Sequence, residues 1–217
     1  MPVRRDESRP NIGGALLAFA TVFLVFHHVP SFAGDRAGDW IDLVTPFAVV
    51  ASSAFLLGRR APGYALAVAV VGAVLYVDGH GIHLAANSIG HEELSGDAED
   101  VTHFWDETWG HAEWHLGWFL LILGFCLAER ARLVRVSRPF AVLGALFLAW
   151  TLFTSTVEGG TWWLELAATA VFVPWALVSR RPLLSAFAGA FALAALAIGV
   201  WALWQGGVPQ FSEVDLL

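Results

Sequence analysis

The chain has 217 residues, 57% of them hydrophobic and 14% charged, with a formal net charge of −7. A soluble domain carries about 25% charged residues, and apolar runs of about 20 residues are long enough to cross a bilayer, so the composition excludes an ordinary soluble fold. All twelve Lys+Arg residues are arginine, so no lysine amine exists for a retinal Schiff base, and the single cysteine, Cys126, excludes an internal disulfide or a Cys-rich metal site.

The expected fold class is all-α: one integral membrane helical domain over 1–217, with about seven transmembrane helices at 12–30, 41–58, 62–90, 104–128, 139–158, 161–179 and 183–204. The first run follows Arg4, Arg5 and Arg9 and ends in His27, His28 and Pro30 rather than at a small-residue cleavage site, so it reads as a retained span. Pro62, Pro139 and Pro182 sit at helix entries, where the missing N–H is not needed, whereas Pro46 and Pro174 fall inside spans and predict kinks. No internal repeat stands out.

Basic residues mark every second connection. Arg4, Arg5 and Arg9 precede span one, Arg59 and Arg60 follow span two, Arg130, Arg132, Arg135 and Arg138 follow span four, and Arg180 and Arg181 follow span six. Only Arg36 lies on the other side, where Asp35, Asp39, Asp42, Glu92, Glu93, Asp97, Glu99 and Asp100 collect. The positive-inside rule then predicts a cytoplasmic N-terminus, an outside C-terminus and a multi-pass protein of the cell membrane.

All eight histidines belong to spans one, three and four or to the loop after span three. At 1.5 Å per residue, His27 and Asp78 stand about 27 Å above the arginine plane, His80 about 30 Å, His115 and His111 about 22 and 28 Å, Glu158 about 30 Å and Glu165 about 22 Å. The hydrocarbon core is about 30 Å thick, so five helices deliver ionisable groups to one level near the outer face. Such groups at membrane depth usually face the bundle interior in pairs.

Two stretches carry most of this chemistry. In Tyr76-Val77-Asp78-Gly79-His80-Gly81-Ile82-His83, helical spacing puts His80, His83, Asn87 and His91 on one face, and Gly79 with Gly81 is expected to loosen the helix and let Asp78 turn toward it. In the second stretch, the four-residue spacing of His103, Glu107, His111 and His115 makes a ladder, with Asp106 and Glu113 as a carboxylate stripe beside it. Imidazole with carboxylate suits zinc, iron or copper. His111 and His115 form an i, i+4 ligand pair, with His80 or His83 as the third ligand. Asp78, Glu107 and Glu158 are the candidate catalytic carboxylates, as ligand, as partner of a ligand, or as the base for a bound water. Thr151, Ser155 and Glu158 share a face, and hydroxyls on such a face commonly bond across helices. The tryptophans Trp105, Trp109, Trp114, Trp118, Trp162 and Trp163 read as an interfacial aromatic belt.

The helix count, the inferred topology and the His111-x-x-x-His115 pair with Asp78 nearby resemble the CREST superfamily of seven-helix membrane hydrolases, which includes alkaline ceramidases and progestin/adiponectin-type receptors. That superfamily carries its His-x-x-x-His pair on the last helix, whereas here it is on span four, so the likeness is one of architecture. The expected function is a zinc-dependent hydrolase acting at the outer face on a lipid or other amphipathic small molecule. The alternatives are a haem- or iron-binding redox protein and a metal- or ligand-sensing protein without catalysis. The bilayer is the expected partner, no nucleic-acid partner is expected, and the oligomeric state stays open.

Overall fold

The computed structural model describes residues 11–33, 35–58, 61–90, 94–132 and 134–214, without the side chains of Asp35 and Arg36. The arginines at 4, 5, 9, 59 and 60, together with His91, Glu92 and Glu93, lie outside the described residues. The described chain is helical and forms no strand. Its helices are α1 (Gly13–His28), α2 (Asp35–Asp42), α3 (Thr45–Leu57), α4 (Gly63–Gly90), α5 (Asp97–His103), α6 (His111–Arg130), α7 (Arg138–Glu158), α8 (Trp162–Ser179) and α9 (Pro182–Gln205). A π-helical segment, Phe104–Gly110, joins α5 to α6, and 3-10 turns occur at Pro30–Phe32 and Ser212–Val214.

Among the described residues, seven stretches are long and apolar enough to cross a bilayer: Gly13–Phe32, Ala37–Leu57, Gly63–Gly90, Asp97–Arg130, Arg138–Glu158, Trp162–Ser179 and Pro182–Gln205. Two differ from the sequence reading. The second span breaks between α2 and α3, where Pro46 takes a first-turn position of α3, so the anticipated kink is a true interruption. The fourth span continues back through the π segment and α5 to Asp97. Pro174 is accommodated inside α8. Gly58 and Gly206, at φ 68° and 74°, terminate α3 and α9 in the conformation glycine adopts most readily.

Phe19, Phe23, Trp118, Phe125, Phe187 and Phe191 are fully buried and fill the centre of the bundle. Glu129 is also fully buried, near the arginine end. Its carboxylate accepts the N–H groups of Leu183 at 2.8 Å and Leu184 at 2.9 Å. These are orphan donors in the first turn of α9, and the helix dipole favours an anion there. At the same end, the Ile12 N–H donates to the Arg135 carbonyl at 2.9 Å, and Arg132 donates to the Leu56 carbonyl.

The closest helix pair is α4 with α6, and small residues explain it. A Cβ on Gly72 would lie 2.4 Å from the Leu121 nitrogen, on Gly79 2.3 Å from that of Trp114, and on Gly117 2.2 Å from that of Tyr76. Gly124 meets Ala69, and Gly110 meets the His83 backbone. Gly72 and Gly79 on α4, and Gly110, Gly117 and Gly124 at the start of and along α6, recur every seven residues. That period keeps one small-residue stripe facing one partner, and small residues let backbones touch. The repeat escaped the sequence reading, and Gly79 acts here as a close-packing position rather than as a point of loosening. Gly81 has no heavy atom within 4 Å of its would-be Cβ.

Candidate histidine centre

The α4–α6 seam brings the two histidine-bearing stretches together at the end of the bundle remote from the arginines. The rings of His83 and His111 lie 4.4 Å apart, those of His111 and His115 5.8 Å, and those of His80 and His83 6.1 Å. Trp114 sits among them, with its ring centroid 4.7 Å from His80, 5.3 Å from His83, 5.4 Å from His111 and 4.9 Å from His115. A tryptophan assigned to an interfacial belt is therefore 7% exposed and forms the floor of the cluster.

Each imidazole faces an oxygen: those for His83 and His111 come from the π segment, that for His80 from the end of α2 and that for His115 from the start of α8. His83 Nδ1–H donates to Asp106 Oδ1 at 2.5 Å. His80 Nε2–H faces Asp42 Oδ2 at 3.2 Å. His111 Nδ1 stands 3.5 Å from Glu107 Oε2. His115 Nδ1 shares a hydrogen bond with the Thr161 hydroxyl at the start of α8. The opposite ring nitrogens of His80 and His115, and Nδ1 of His111 itself, are buried and have no hydrogen-bond partner. Gly159 closes the cluster from α7; its would-be Cβ lies 2.9 Å from the His111 ring and 3.0 Å from that of His115.

The π segment sets the two carboxylates. Its wide i→i+5 turns shift the angular phase that a 3.6-residue period would give, and π turns recur at functional sites. Asp106 is thereby buried against α4, whereas Glu113, expected on the same stripe, accepts the Trp109 indole N–H at 2.8 Å. The stripe splits into one residue inside the cluster and one outside it.

Of the candidate residues, His80, His83, His111, His115 and Glu107 come together. Asp78 does not. It is exposed and lines an open apolar groove of about 650 Å³ with Val70, Ala73, Val74, Val77, Gly81, Ile82 and Ala85. Glu158 is next to the cluster in sequence, but its carboxylate accepts the N–H groups of Phe211 at 2.7 Å and Ser212 at 3.3 Å. His103 is exposed. His27 donates from Nδ1 to the Phe23 carbonyl at 2.7 Å, meets the Tyr76 hydroxyl at 3.1 Å and stacks on Trp114. His28 bonds the Leu24 carbonyl at 2.7 Å and the Thr154 hydroxyl at 3.0 Å.

No family model, curated protein or solved structure matches this chain. The comparisons therefore lend no support to the expected likeness to the CREST superfamily.

The donor chemistry suits a metal. A metal-binding histidine commonly gives its second ring N–H to a carboxylate or other oxygen, which fixes tautomer and orientation. Asp106 stands in that relation to His83 and the Thr161 hydroxyl to His115, while Glu107 lies 3.5 Å from His111 Nδ1 without a hydrogen bond. The rings themselves lie face to face, at 37° for His83–His111 and 21° for His111–His115, rather than pointing at one centre. Accordingly, among the described residues no group of three or more His, Cys, Asp or Glu side chains is arranged to hold a metal ion.

Proposed function

We propose that this chain is a multi-pass protein of the cell membrane whose His83, His111 and His115, flanked by His80, bind a divalent metal, preferentially zinc, at the non-cytoplasmic end and serve hydrolysis of a lipid or other amphipathic substrate. One observation carries the reading: three neighbouring imidazoles each turn Nδ1 toward an oxygen, hydrogen-bonded to Asp106 for His83 and to Thr161 for His115, and 3.5 Å from Glu107 for His111. That arrangement reserves the three Nε2 atoms for a shared ligand. Convergence requires rotation of the His111 ring, whose Nδ1 has no hydrogen bond to lose and whose terminal torsion is soft.

Bound zinc would supply a water whose pKa falls to about 7. The chain's own residues then divide the work. Asp106 holds His83 as the Nδ1–H tautomer, Thr161 orients His115, and Glu107 stands beside His111. Glu107, with 30% of its side chain exposed, is the carboxylate with an open face and is our candidate base. Trp114 supplies an apolar floor that limits water around it. Haem is the poorer fit. Axial histidines stand on opposite faces of a porphyrin, whereas His83 and His111 touch and the helices carrying them meet backbone to backbone.

The test is purification in detergent, reconstitution with zinc, and metal quantitation beside an absorption spectrum. The expected result is a colourless protein with about one zinc per chain, retained in His28→Ala and lost in the His111→Ala/His115→Ala double variant, on tetrahedral-site chemistry. A Soret band would replace the zinc reading with haem. A folded parent that takes up no metal and matches the double variant would end the metal reading.

A further inference from the structure

The chain after α9 folds back onto the bundle. Val208, Phe211 and Val214 pack on Val157, Ile198 and Trp201. The Trp201 indole N–H donates to the Pro209 carbonyl at 2.9 Å, and the Phe211 ring lies 4.9 Å from Trp201 and 5.6 Å from Phe153. The main-chain N–H groups of Phe211 and Ser212 reach Glu158, and that of Gln210 reaches Glu213 at 2.9 Å. These contacts hold one long polar side chain over the histidines. Gln210 Nε2–H donates to Glu107 Oε2 at 3.2 Å, the same oxygen that faces His111 Nδ1. The amide also lies over the turn beside the rings, 3.7 Å from a would-be Cβ on Gly160.

We propose that Gln210 is a positioning residue of the histidine centre: anchored by the strap 206–214, it fixes the Glu107 carboxylate against His111. This rests on the metal-centre reading for its purpose, but not for its geometry. A half-exposed carboxylate with a single neighbour swings toward water. A second donor on the same oxygen holds it in the orientation that keeps the His111 ring in register. Because Gln210 comes from the far end of the chain, the centre is complete only when the strap is seated.

The experiment uses the full chain in detergent. Metal-free protein is treated with diethylpyrocarbonate, and modification of individual histidines is followed by mass spectrometry. Cobalt(II) is then titrated while its visible spectrum is recorded. Gln210→Ala should melt like the parent, yet its His111 should react about fivefold faster and its cobalt affinity should fall about tenfold, the lower range for loss of an outer hydrogen-bond partner. Phe211→Ala, which unseats the strap, should change both readouts in the same direction, and His28 should react at the parental rate in every variant. Parental His111 reactivity in Gln210→Ala overturns the proposal. If cobalt binds to no protein, the parent included, the metal reading fails while the labelling rates still decide the role of Gln210.

Discussion

Gly117→Ala tests the seam on which the histidine geometry depends. The added Cβ would stand 2.2 Å from the Tyr76 nitrogen, 2.7 Å from its Cα and 2.8 Å from the Gly72 carbonyl oxygen. All three are backbone atoms, so no rotamer change relieves the clash. Optimal contact is about 3.5–4.0 Å, and α4 and α6 must part by roughly 1–1.5 Å. Overpacking typically destabilises by about 1–3 kcal/mol, and a rigid seam belongs at the upper end. At about 2–4 °C per kcal/mol for a chain of this size, melting should drop by roughly 6–12 °C. The only cysteine, Cys126, is 1% exposed, so a fluorogenic maleimide that reacts on unfolding reports the transition. Gly81→Ala on the partner helix α4 is the control: it meets no neighbour and should melt at or above the parent, because alanine is favoured over glycine in a helix by about 1 kcal/mol. A Gly117→Ala variant melting within about 2 °C of the parent, or a Gly81→Ala variant falling as far, would refute the seam argument.

Removing the Glu129 carboxylate with Glu129→Ala leaves two buried N–H groups of α9 unpaired and should cost about 3 kcal/mol; Glu129→Gln, which keeps one acceptor oxygen, should lose about half of that in the same melting assay. Asp106→Asn leaves a hydrogen-bond acceptor beside His83 but removes the charge, and should weaken zinc or cobalt binding about 10- to 100-fold by competition titration, without loss of fold. A reporter fused to the C-terminus should be active as alkaline phosphatase and dark as a green fluorescent protein; the reverse pattern would invert the orientation inferred from the arginines.

The hydrophobic spacing was sufficient to read seven helices, because apolar runs of bilayer length leave little choice. The meeting of His80, His83, His111 and His115 was legible for a related reason: spans joined by a short loop are adjacent, and equal depth aligns their polar groups. What stayed hidden depends on phase and on distant contacts. Asp106 entered the cluster because a π segment rotated it, and a 3.6-residue period cannot foresee that. Asp42 reached His80 because the second span breaks before Pro46. Thr161 and Gln210 lie 46 and 103 residues from their partners His115 and Glu107, with no local pattern to link them. Asp78 faces outward because Gly79, whose missing side chain serves helix contact, does not loosen the helix beside it. The seven-residue recurrence of glycine was present throughout and is the signal of that contact.

The lengths of α4, with 28 residues, and of the fourth span, with 34, bear on what can reach the histidines. At 1.5 Å per residue they run to about 42 and 50 Å, well beyond a hydrocarbon slab of about 30 Å. Both therefore stand proud of the acyl region, and His83, some 20 residues along α4, sits near the height where tails give way to headgroups. On the proposed function, a lipid meeting these rings would present its headgroup-level linkages rather than its methyl ends.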